Sequence, residues 1–109
     1  MFQIVKLEIF LPETYLEQIR LALQSADAGH IGRYDSVMAY SRVRGCWRAG
    51  PGAEPFIGKI GELCEADEVK VEVCCRADRL SETIAAVRAA HPYEEPVINV
   101  IPLMDISNT

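Results

Sequence analysis

The chain has 109 residues, half of them hydrophobic and a quarter charged, with a formal net charge of −5. That length suits a single domain, residues 1–109, built round one core. The acidic balance excludes general nucleic-acid binding, which needs a basic surface against phosphate, and no apolar run reaches the ~20 residues of a membrane span. Phe2-Gln3-Ile4-Val5 has no basic run before it, so no signal peptide is expected. Cys46, Cys64, Cys74 and Cys75 form no Cys-x-x-Cys pair and are too sparse for a disulfide scaffold. They read as reduced thiols of a cytoplasmic protein.

Residues 2–11 alternate strictly, with Val5, Leu7, Ile9 and Leu11 on one face and Phe2, Ile4, Lys6, Glu8 and Phe10 on the other. Period two predicts a strand, and its second face is itself partly apolar. Pro12 opens a helix over about residues 12–27, in which Tyr15, Leu16, Ile19, Leu23 and Ala26 recur at three- and four-residue spacing. Gly29 and Gly32 are expected to end it. A long second strand is predicted from Tyr34 to Trp47. Residues 48–67, punctuated by Gly50, Pro51, Gly52, Pro55, Gly58 and Gly61, read as a loop with at most a short helical turn.

Residues 68–76 alternate again, which predicts a third strand with Val69, Val71, Val73 and Cys75 inward and Glu68, Lys70, Glu72 and Cys74 outward. Asp78 is placed to cap a second helix, whose apolar face is Leu80, Ile84, Val87 and either Ala90 or His91. A last strand is expected over residues 96–103, followed by a frayed tail. Strand, helix, strand, strand, helix, strand folds most simply as a ferredoxin-like split βαβ sandwich. In that α+β arrangement both helices cover one face of a four-stranded antiparallel sheet. The partly apolar open face then invites a second copy of the chain.

His91-Pro92-Tyr93-Glu94-Glu95-Pro96 joins the second helix to the last strand. Pro92 drives His91 out of the helical region and Pro96 does the same to Glu95, so imidazole, phenol and carboxylates sit on a stiff corner. This corner, placed after the second helix of such a domain, resembles the closing motif of CutA-type proteins, which are PII-like trimers. It is more similar to the CutA-like domain inserted in NGG-interacting factor 3-like (YqfO-type) metal proteins. Gly29-His30-Ile31-Gly32-x-Tyr34-Asp35, Gly45-Cys46-Trp47-Arg48, Gly52-Ala53-x-Pro55-Phe56-Ile57-Gly58 and Glu68-Val69-Lys70-Val71-Glu72 follow in that family's order. The likeness covers residues 2–103. Ser36 stands where the family often has cysteine, and Ala49 where a proline is expected. The flanking domains that carry the family's dinuclear metal centre are not in this sequence, so the resemblance implies a free-standing accessory domain without hydrolase chemistry.

The resemblance implies self-association, with a trimer favoured, and a ligand cleft at His91, Tyr93, Glu94 and Glu95, to which Trp47, Arg48, His30 and Tyr34 are added as candidates for a ligand-binding or interface role. Three roles stay open: a non-enzymatic binding or regulatory module for a small ligand, ion or protein; a divalent-metal-binding protein; and a purely structural domain. No cofactor is certain. A divalent metal ion would use His91 with Glu94 or Glu95, joined by His30 or Cys46 of a neighbouring subunit. The competing reading of the corner is structural, with Glu94 holding backbone amides and Tyr93 packing at an interface, and it is the more economical. His30 reads first as a solvated loop residue. Trp47 with Arg42, Arg44 and Arg48 ahead of the glycine-rich loop is an alternative anion cradle. No nucleophile has an identifiable base, so catalysis is not expected.

Overall fold

The computed structural model describes residues 3–104. Its elements are β1 (Ile4–Leu11), α1 (Leu16–Ser25), β2 (Ala39–Arg48), β3 (Leu63–Arg76), α2 (Leu80–Ala90) and β4 (Ile98–Leu103). The strands form one sheet in the order β2-β3-β1-β4, with every pairing antiparallel. This is the expected ferredoxin-like sandwich.

The strict alternation of β1 and β3 builds the core. Val5 faces Cys75, Leu7 faces Val73, Ile9 faces Val71 and Leu11 faces Val69, and all eight are buried. Ile19 and Leu23 of α1 and Val87 of α2 pack on that face. Burying each such side chain stabilises the fold by ~1.5–3 kcal/mol. Thr83, absent from the expected apolar face of α2, is fully buried because its hydroxyl donates to Arg79 O at 2.8 Å. The opposite face carries a charge ladder between Ile4 and Phe10: Lys6 donates to Glu72 at 2.7 Å and lies 3.4 Å from Glu8, which also meets Lys70. Its polarity is higher than the Ile4 and Phe10 pattern suggests. Phe2 and the expected tail from residue 105 onward lie outside the described residues; Met104, past β4, is exposed.

Several boundaries differ from the sequence expectation. Glu13–Tyr15 form a 3-10 turn before α1, and the helix ends earlier than residue 27. Its stop is Asp27 rather than Gly29. Asp27 takes φ 65°, its N–H donates to Gln24 O, and the Ala28 N–H donates to Leu23 O, which is a Schellman closure. Ile31 and Tyr34 then exchange both backbone hydrogen bonds, and Ser36 has φ 58°, so the chain turns before β2 can begin at Ala39. Asp78 pairs with Arg76, and α2 has no side-chain cap.

The largest difference is β3. Residues 63–67, expected as loop, pair with residues 44–48 and lengthen the β2–β3 hairpin into a projecting arm. Towards its start from Val69, which faces Leu11, β3 has β2 as its only strand neighbour among the described residues. The arm stretches the molecule to 50 × 27 × 23 Å and its radius of gyration to 15.2 Å, against about 13 Å for a compact domain of this length.

Candidate functional site

The site lies where the arm meets the corner after α2. His91 leaves the helix with φ −82° and ψ 134°, as the following proline requires, while its N–H still donates to Val87 O at 2.9 Å. Its ring is buried. Nε2 is 2.7 Å from Phe10 O, and Nδ1 receives the Tyr93 N–H at 3.1 Å. A carbonyl can only accept and an amide can only donate, so these partners dictate the neutral Nε2–H tautomer. Burial lowers the pKa of His91, opposed by the Phe10 carbonyl and the Glu68 charge.

Held by that bond, Tyr93 reaches back to β3, where its phenol donates to Glu68 Oε2 at 2.8 Å. Burial and the neighbouring carboxylate raise the phenol's pKa well above its ordinary value, so it remains a donor. Glu68 is only 6% exposed. Its carboxylate lies over Gly45 of β2, and a Cβ on Gly45 would overlap Oε1. Among the described residues the phenol is the one hydrogen-bond donor to this carboxylate.

Aromatic rings cluster round Tyr93. The Tyr93 ring centre lies 5.7 Å from Trp47 and 6.2 Å from Phe56, and Phe56 meets Tyr15 edge-on at 5.7 Å. Trp47 is pinned by its indole N–H, which donates to Ile57 O at 3.2 Å. The turn that brings Ile57 back needs Gly58, whose φ is 100°. The Glu94 carboxylate accepts the Glu54 N–H at 3.2 Å, tying the corner to the arm's loop. Between arm and corner runs a groove of about 440 Å³, lined by Phe10, Trp47, Phe56, Val97 and Tyr93, with Glu68, Glu94, Glu95 and Arg48 as its charged groups.

The structure therefore brings together Trp47, Arg48, His91, Tyr93, Glu94 and Glu95. It leaves out His30 and Tyr34. Both lie in the exposed loop after α1, which is bonded to the sheet through Gly29 N–H and Cys74 O. Cys74 is six residues along β3 from Glu68, roughly 20 Å at strand spacing. His30 there meets Asp27 at 2.6 Å. The arginine cluster is also dispersed: Arg42 bonds Glu13, Arg44 bonds Asp67, and only Arg48 meets the groove. The expected metal pair of His91 and Glu94 finds no free imidazole lone pair in this conformation, since both ring nitrogens are engaged. Among the described residues, no three His, Cys, Asp or Glu side chains are grouped to hold a metal ion.

Sequence reasoning missed Glu68 and Gly45, the floor of the groove. A signal existed, because a glycine inside a strand often marks a close approach.

Comparison with known proteins bears on the family and the fold. Residues 36–109 match the model of the family described as CutA1 divalent ion tolerance protein. Proteins named GTP cyclohydrolase 1 type 2 homolog are similar in sequence: that of Halalkalibacterium halodurans is 38% identical over 95% of this chain and 28% of its own length. That of Bacillus subtilis is 39% identical over 90% of this chain and 26% of its own. The chain thus spans about a quarter of these curated relatives. Among solved structures, a Bacillus cereus protein related to NIF3 superposes with TM-score 0.83 and 34% identity, over 95% of this chain and 26% of that one. CutA1 of Shewanella sp. SIB1 superposes with TM-score 0.73 over 97% of this chain and 86% of that one, at 16% identity, a likeness of fold.

Proposed function

The chain belongs to the CutA1 divalent ion tolerance protein family, and from that premise we propose that it is a non-enzymatic binding module which self-associates and takes a small ligand in the groove between arm and corner. The observation that carries this reading is the groove itself, with an aromatic wall and a buried carboxylate held by a tyrosine. Such a mixture of apolar walls and few placed polar groups is the usual make-up of a ligand site. The cyclohydrolase name attaches to the longer relatives and is not transferred.

Self-association, with a trimer favoured, is supported by the arm. An isolated two-stranded hairpin is marginally stable in water. This one also exposes Ile60 and Leu63, while Val100, Ile101 and Met104 are exposed near the opposite edge strand, β4. Packing an arm on a neighbour's apolar surface would cover both. A cytoplasmic location accords with four free cysteines, and among the described residues no helix is long and apolar enough to cross a membrane.

Native mass spectrometry of protein purified without chelator tests the reading, since it gives subunit number and bound mass together. A metal-free trimer is expected. A clean monomer would overturn the assembly argument. Stoichiometric metal that disappears in His91→Ala would instead establish a divalent-cation protein using His91 and Glu94, at the cost of the two hydrogen bonds His91 now makes.

A further inference from the structure

Resting on the reading of the groove as a ligand site, we propose that its ligand is a small organic cation, an N–H-bearing ammonium or amidinium on a flat or apolar body, with the cation seated against Glu68. Four observations converge. The charged groups lining the groove are three carboxylates and one guanidinium, a balance that disfavours anions. Glu68 is buried, yet Oε2 alone receives a hydrogen bond from the protein, and Oε1 lies over Gly45 at the groove floor. A buried carboxylate held by one donor has unused acceptor capacity, and an N–H cation supplies both the missing donors and the missing charge.

The walls fit the same chemistry. Trp47, Tyr93 and Phe56 line the same groove as the carboxylate, with the Trp47 and Phe56 ring centres 5.7 and 6.2 Å from that of Tyr93, and ring faces attract cations through their quadrupoles. A volume of about 440 Å³ exceeds what a bare metal ion or ammonium occupies, so the remaining space takes an apolar body against Phe10 and Val97. The phenol of Tyr93 supports the arrangement without competing for it. It donates to Oε2 and leaves Oε1 to the ligand. A quaternary ammonium would use the rings but leave that acceptor unpaired, so N–H cations are preferred.

Trp47 is the chain's single tryptophan, so its fluorescence reports on this groove alone. The full-length protein, in whatever assembly it forms, is titrated with 2-phenylethylamine, phenyltrimethylammonium and 3-phenylpropionate. Saturable change with 2-phenylethylamine is expected, with at least tenfold weaker response to phenyltrimethylammonium and none to phenylpropionate. Glu68→Gln, which keeps the shape, is expected to weaken 2-phenylethylamine binding at least tenfold. Should that variant fail to fold, Phe56→Ala, at a half-exposed ring on the wall, is expected to weaken it about threefold. Equal response to amine and propionate overturns the cation assignment while leaving the groove a ligand site. Silence to all three probes overturns the cation proposal, and the broader binding-module reading then stands or falls on the mass-spectrometric test above.

Discussion

Leu7 in the sandwich and Trp47 on the arm are both large apolar residues on strands, yet they are fixed by different means. Leu7 sits in β1 between Val73 and Val100, fully buried beneath the helices, and its side chain is held by packing alone. Trp47 is partly exposed and is placed by its bond to Ile57 O and its contact with Tyr93. The sandwich is held by area removed from water, which is undirected and tolerant of small shifts. The arm and corner are held by a few directed contacts, which specify a shape and stabilise it little. That division suits a binding module: the body sets the fold, and the groove is free to answer to a ligand.

The comparison breaks most visibly under truncation. Leu7→Ala removes fully buried side-chain volume and is expected to cost about 2–5 kcal/mol, read as a lower urea midpoint. Leu63→Ala on the arm removes a side chain that is 72% exposed and is expected to stay within about 0.5 kcal/mol for the isolated chain. Its effect should fall on assembly instead. Equal costs in the two variants would mean that arm and body are one cooperative core.

A smaller effect sharpens the comparison at Gly45. A Cβ there would collide with Glu68 Oε1, a buried group that cannot swing freely without leaving Tyr93. Gly45→Ala is expected to cost about 1–3 kcal/mol. In a Glu68→Ala background the same change should be nearly free, because the clash is gone; a double-mutant cycle on urea midpoints measures the coupling. Additive costs would place the strain in the β2 backbone rather than on the carboxylate.

These two regions were unequally legible in the sequence. The sandwich follows from alternation in residues 4–11 and 68–76, because burial on one sheet face writes itself as period two. Glu68 obeys the same alternation, which places it outward, on the sheet face opposite Val69. What hides it is Tyr93, 25 residues away in the chain, and no local pattern reports a lid that arrives from a distant corner. On the β3 side of the arm, residues 63–67 fall in a stretch that reads as loop because Gly50, Pro51, Gly52, Pro55, Gly58 and Gly61 punctuate it. Pairing with residues 44–48 overrides that signal. The corner itself was visible through its two prolines, and so was a structural role for Glu94, which does hold a backbone amide. The destination of His91 was not, since its partner is a carbonyl 81 residues earlier.

That imidazole gives the finest test, because it joins body to corner: Nε2 bonds β1 and Nδ1 bonds the Tyr93 amide. Burial depresses the folded-state pKa below the ordinary histidine value of about 6.5. The sign follows directly. As pH falls below the unfolded value, the unfolded chain takes up a proton that the folded chain refuses, so stability is lost down to the depressed folded pKa. The loss cannot exceed about 1.4 kcal/mol per pH unit, the limit for one proton. Urea midpoints measured from pH 8 to pH 5 should therefore decline on the acid side. His91→Gln should lower the whole curve and remove that decline, whereas His30→Gln, in the exposed loop at the other end of β3, should leave it intact. Protonation would also cost the Nδ1 acceptor and release Tyr93 from its place over Glu68. Trp47 fluorescence should then change at the pH where His91 takes its proton, before the sandwich unfolds. A fluorescence change that coincides with global unfolding would show that the corner has no stability of its own to lose.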